Sequence, residues 1–209
     1  DKFAYFNQTY SENLNQLKSI LSKKFITKEA KSFFINKNDI NYKNEYSSNI
    51  KNLLNKAKKN KLSIIEDNIE NFIVNYNLNL SSIKKDNYYS ENFLISLYEY
   101  IKLNKCGKIF TVVDDASISH ASTLLIWDNT DVYMLLLTSN KKLLTQGGSI
   151  FLIDELIKFS HLNNKNFDFE GSSTPSIEFF YSRFTKNYKT LLEVKYFKNS
   201  LIKFFYKFY

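Results

Sequence analysis

Three short runs of this 209-residue sequence combine residue types that can do chemistry. The first is Gln146-Gly147-Gly148-Ser149. Glycines just ahead of a helix let the backbone come close to a ligand. A helix start adds unpaired N–H groups and the positive end of a dipole. Such a turn suits a pyrophosphate, although the same glycines could serve only to turn the chain. The second run is Phe167-Asp168-Phe169-Glu170-Gly171-Ser172. In a strand, Asp168 and Glu170 share one face and Phe167 and Phe169 the other. Burying an unpaired carboxylate is costly. The pair is therefore a general base, a binder of an amine, or two structural carboxylates that meet lysines or cap the residues after them. The third run holds Tyr181 and Arg183. Tyr181 can protonate a leaving group or belong to the core. Arg183, the single arginine, can hold a phosphate or carboxylate or be an ordinary surface residue.

Other candidates stand alone. His120 lies inside one strand-like run that Trp127 ends, and a lone strand histidine is more often a hydrogen-bonded structural residue. With Ser172 and Arg183 they form the candidate substrate-binding set; Glu170, Asp168 and Tyr181 form the candidate catalytic set. Cys106 has no activating base nearby in sequence and reads as inert. Two histidines and one cysteine make a dedicated zinc site an unsupported reading. Lys51 to Lys61 form a basic helical face that could contact RNA or stay solvated.

The elements that must position these residues follow from periodicity. Leu14, Leu17 and Leu21 share a helical face, and the first part reads mostly helical, with short strands at Phe33 to Ile35 and Leu62 to Ile65. Ile50, Leu53, Leu54 and Ala57 repeat at helical spacing, as do Ile69, Phe72, Ile73 and Tyr76. From Tyr88 the pattern is a helix capped by Ser90, strands at Lys108 to Val113, Ser117 to Trp127 and Val132 to Thr138, then an apolar helix from Ser149 to His161. A strand at Phe167 to Glu170 leads into a helix opened by Pro175, with Ile177, Phe180 and Phe184 on one side. A strand at Leu191 to Tyr196 and a helix carrying Leu201, Phe204, Phe205 and Phe208 complete the chain. Strands joined through helices imply an α/β (α+β) fold: a mixed, mostly antiparallel central sheet with helices on both faces.

Composition bounds the partners. Hydrophobic residues make up 44% and charged residues 24% of the chain, which is the balance of a globular domain. The net charge of +8 attracts anions such as phosphorylated cofactors or nucleic acid. Lysine supplies nearly all of it, so bidentate base reading by arginine is almost excluded. No apolar run reaches the length of a membrane span, about 18 residues. The single cysteine fits a reducing, cytoplasmic setting. The start lacks a methionine, as in a processed chain or a fragment.

Together, His120 to Leu136, Gln146 to Phe159 and above all Phe167 to Phe184 resemble the GNAT-type acetyltransferase domain of the Fem-like group, which includes peptidoglycan aminoacyltransferases. The resemblance covers about Tyr88 to Tyr196, with Tyr46 to Leu62 similar to the basic helix ahead of that domain. It implies a GNAT fold over 67–209 and, in 1–66, a remnant of a first such half. It also implies an acyl-CoA or aminoacyl-tRNA co-substrate, with no permanently bound cofactor, held where the sheet splays. Gln146, Gly147, Gly148 and Ser149 would then face the donor's phosphates, and Asp168 and Glu170 would lie near a small-molecule or cell-wall-precursor amine. The implied activity is acyl or aminoacyl transfer. The alternative is a non-catalytic module of the same fold that contacts RNA or a protein through its basic face.

Overall fold

The computed structural model describes residues 5–11, 14–21, 25–82, 89–172 and 174–197. The chain forms two compact units, and neither is bounded near residue 66. The larger holds 34–170 and 183–186; the smaller is assembled from 1–33, 171–182 and 187–209.

The smaller unit contains strands β1 (Tyr5–Tyr10), β8 (Tyr188–Phe197) and most of β2 (Phe25–Ile35), with helices α1 (Leu14–Ile20) and α6 (Pro175–Tyr181). β8 lies between β1 and β2 and is antiparallel to both. Leu192 and Val194 of β8 and Ala30 and Phe33 of β2 are buried. The N-terminal region is thus not mostly helical. The short strand expected at Phe33 is the end of an eleven-residue one. The β2 run FITKEAKSFFI interleaves three charged residues with apolar ones, and its pairing partner lies near the other end of the chain, so local periodicity understates it. α6 ends at Tyr181, before Phe184, and Ile177 is exposed. The expected helix through Leu201 to Phe208 lies outside the described residues.

In the larger unit, β3 (Ser63–Asp67), β4 (Gly107–Val113), β5 (Ser119–Trp127) and β6 (Asp131–Ser139) are antiparallel neighbours, and β7 (Asn166–Ser172) joins β6 in parallel. The sheet is therefore mixed and mostly antiparallel, as the sequence implies. Helices α3 (Ile69–Ser82) and α4 (Glu91–Asn104) cover one face, where Phe72, Tyr76, Leu94 and Ile101 pack with Ile109 and Leu124. α5 (Gly148–Leu162) covers the other: its Phe159 ring meets Phe110 and Trp127, which alternate with Ile109 and Ile126 along their strands. α2 (Ser48–Lys59) lies on α5 and buries Ile50, Leu54 and Ala57. Ser47 and Ser90 cap α2 and α4 by accepting the N–H of Ile50 and Phe93.

Candidate functional site

Two irregularities shape β6 and its neighbours. Leu124 pairs with Leu136 and Leu125 with Met134, so Leu135 is an extra residue, a β-bulge. On the other side of β6, the register with β7 covers only Asp131–Asn166, Val132–Phe167 and Tyr133–Asp168. β6 continues beyond this last register pair through the bulge to Ser139. There a cleft of about 210 Å³ opens among Asn75 and Asn79 of α3, Ser119 of β5, Thr138 of β6, and Lys141 and Lys142 of the connection to α5. Asn140 braces this connection: its N–H donates to His120 O, its side chain donates to Ser119 O, and its Oδ1 accepts the Lys142 N–H. Both lysines are exposed.

The four donor-site candidates begin α5 beside this connection, but their contacts are internal. Gly147 has φ +87°, where a side chain is strained, and a Cβ there would lie 2.2 Å from Leu53 O. A Cβ on Gly148 would lie 2.4 Å from His120 Cβ. Gln146 accepts a hydrogen bond from the Asn60 side chain. The Ser149 hydroxyl is 2.7 Å from that of Ser139. Close packing against Leu53 of α2 and against His120 therefore accounts for the lack of a side chain at both glycines.

His120 is itself the extra residue of a second bulge, since Val112 pairs with Ala121 and Val113 with Ser119. The bulge re-aims its ring toward α5. His120 Nε2 lies 3.2 Å from Asp114 Oδ2. The Asp114 carboxyl is held below the usual range chiefly by the Ile118 N–H, with His120 and the Ala116 N–H adding to this. The acceptor is thus ionised and Nε2 carries a proton. His120 is 4% exposed, and its Nδ1 has no hydrogen-bond partner among the described residues.

The acidic strand differs from a regular one. Asp168 is 6% exposed, and its Oδ1 accepts the Glu170 N–H at 2.8 Å. Glu170 has φ +63°, a left-handed conformation that kinks the strand, so the two carboxylates do not simply alternate onto one face. Phe167 and Phe169 are fully buried, with rings 4.9 Å apart, and Phe169 meets Phe184 at 5.6 Å. Asp168 is in register with Tyr133, whose hydroxyl donates to Asp128. Burial alone would raise the Asp128 carboxyl. The N–H groups of Thr130 and Asp131 and the hydroxyls of Tyr133 and Thr130 outweigh it and hold the group at about 2.

The structure distributes the candidates along β6 rather than in one cluster. Asp168 faces a position six residues from Ser139, roughly 20 Å along a strand. Trp127 sits against Phe159, eight residues and roughly 26 Å from Ser119. It is an aromatic anchor at the far end of β5. Tyr181 belongs to the smaller unit, and its ring lies tilted against that of Phe180 at 5.6 Å. Arg183 belongs to the larger, where its carbonyl accepts the Ser47 N–H. The Ser172 side chain lies outside the described residues. Sequence reading passed over Lys141, Lys142, Asn75 and Asn79. The lysine pair directly after a strand was a visible signal, whereas the two asparagines reach the cleft only through helix packing. Also missed was Asp154 in the apolar helix, 2% exposed, which accepts from Lys43 at 2.8 Å and Tyr46 at 3.1 Å.

No family model and no curated protein matches the sequence. Solved structures do. FemX superposes with a TM-score of 0.68 at 13% identity, over 92% of this chain and 70% of its own. A conserved protein of unknown function from Bacteroides thetaiotaomicron gives 0.64 at 9% identity, over 92% and 70%. L-PGS from Bacillus licheniformis gives 0.60 at 10% identity, over 84% and 62%. These likenesses establish the fold as the Fem-like, GNAT-type α/β architecture.

Proposed function

We propose that the protein transfers an acyl or aminoacyl group from acyl-CoA or aminoacyl-tRNA to an amine, a small molecule or a cell-wall precursor. The observation that supports this most is β6 running on beyond its last register pair with β7, through the Leu135 bulge, to a cleft rimmed by Lys141 and Lys142. In this reading the donor lies along β6. Its phosphates meet the two lysines, and its carbonyl lies by the bulge, where an extra residue leaves a backbone group unpaired. That group polarises the carbonyl and stabilises the oxyanion.

The amine nitrogen forms the new C–N bond, and the carbonyl oxygen takes up the negative charge. Collapse breaks the donor's C–S or C–O bond. Glu170 or Asp168 accepts the proton that the nitrogen sheds, and water supplies one to the leaving group. Much of the rate comes from positioning. Both carboxylates are candidates for this base, and one oxygen of Asp168 also accepts the Glu170 N–H. A cytoplasmic location follows from such donors and belongs to the same proposal.

Calorimetry with acetyl-CoA, longer acyl-CoAs and charged tRNA tests the donor. Binding is expected to one of them and to weaken at least about tenfold in the Lys141→Gln/Lys142→Gln variant. Folded protein that binds none of them sinks the reading. Glu170→Gln should lower kcat with little change in KM if Glu170 is the base.

A further inference from the structure

The exposed side of α2 concentrates lysine without a nearby acid. Lys51, Lys56, Lys58 and Lys59 project from it, Lys61 follows just beyond its end, and no Asp or Glu occurs between Tyr46 and Ile65. Six lysines elsewhere, Lys18, Lys43, Lys102, Lys108, Lys158 and Lys195, meet a carboxylate. Among the described residues none of the five α2-side lysines does. Like charges three apart on a helix, as in Lys56 and Lys59, repel, so the helix carries an unbalanced cationic face. Asparagines 49, 52 and 55 stand between the lysines, and a shallow groove of about 430 Å³ runs beside Asn52, Asn55, Lys56 and Lys59. The buried side of α2 holds it firmly on α5, so the face is rigid.

We propose that this face of α2 docks RNA. A helix of twelve residues extends about 18 Å, long enough to follow several backbone phosphates. Ammonium groups meet phosphates as point charges, while the amides between them offer donors and acceptors to sugars and base edges. The main competing polyanion is an anionic membrane. Membrane-surface helices set aromatic and aliphatic side chains among their lysines, whereas the described residues of α2 include no exposed large hydrophobic. A small phosphorylated cofactor would leave most of the face unused. The proposal does not depend on the transfer reading: an inactive protein could dock RNA here, and a transferase using a small thioester could lack it.

Fluorescence anisotropy with the full chain and a labelled oligouridylate tests it, alongside sedimentation with phosphatidylglycerol vesicles. Lys56→Gln/Lys59→Gln is expected to weaken RNA binding at least tenfold. The slope of log K against log salt should become shallower by about 1.4, since each single-strand phosphate contact contributes about 0.7. Lys102→Gln, an exposed lysine on α4, should change neither quantity. Both α2 positions are exposed, and circular dichroism confirms that the variants fold. Equal affinity of parent and double variant for RNA overturns the proposal. So does binding to the vesicles through these two lysines without binding to oligouridylate.

Discussion

A methyl group on Gly148 would press on His120, whose own ring is fixed by Asp114 and closed over by α5. In an open helix, Gly→Ala stabilises by up to about 1 kcal/mol. Here overpacking opposes that gain and costs about 1–3 kcal/mol. Gly148→Ala should therefore lower the thermal midpoint, and Gly148→Ala combined with His120→Gly, which removes the Cβ that the new methyl would meet, should recover part of the loss. A Gly148→Ala protein as stable as the parent would show that this corner is loose. The glycine pair was visible in the sequence, but its reason was not. Phosphate approach and tight packing both favour glycine, and only the position of Leu53 and His120 reveals the packing reason. The same ambiguity surrounded Asp168: a carboxylate in an apolar strand attracts attention, yet one of its oxygens is occupied by the backbone two residues on.

At the scale of elements, the kink in β7 sets structure against chemistry at one position. A non-glycine residue at φ +63° costs about 1 kcal/mol relative to glycine. Glu170→Gly should raise stability by about that amount in urea melts. If Glu170 is also the base, transfer should fall at the same time, a combination that a purely structural role would not produce. The helices were the most legible elements. Apolar spacing marked α2, α3, α4 and α5, because each buries a single stripe, and the hairpin strands β4, β5 and β6 were marked by their turns. β1 and β2 were missed or shortened, because their pairing is with β8 and no local pattern encodes a partner so distant in sequence. The bulges at His120 and Leu135 were invisible for a related reason: a bulge is a mismatch between two strands and cannot be read from either alone.

At the scale of the whole molecule, the fold is that of FemX despite 13% identity. The pattern of buried positions carries the architecture while almost every residue differs, so residue roles do not transfer and have to be tested on this chain. One test concerns the smaller unit. β1 pairs with β8 along its full described length. Deleting residues 1–11 should expose that edge of β8, reduce hydrogen-exchange protection in 188–197 and promote aggregation. Protection in 107–139, within the larger unit, should change little. Equal loss in both segments would mean that the units unfold as one.

β8 also gives the smaller unit a birth order. β1 and β2 leave the ribosome first, yet the strand that pairs with both follows roughly 150 residues later, about 8–30 s at ordinary elongation rates. Through that interval β1 and β2 wait without β8, while nearly all of 34–170 is being made. Yield in the cell should accordingly be limited by what binds nascent β1 and β2 during the delay. A circular permutant that begins ahead of β8 and continues through β1 and β2 would remove the wait.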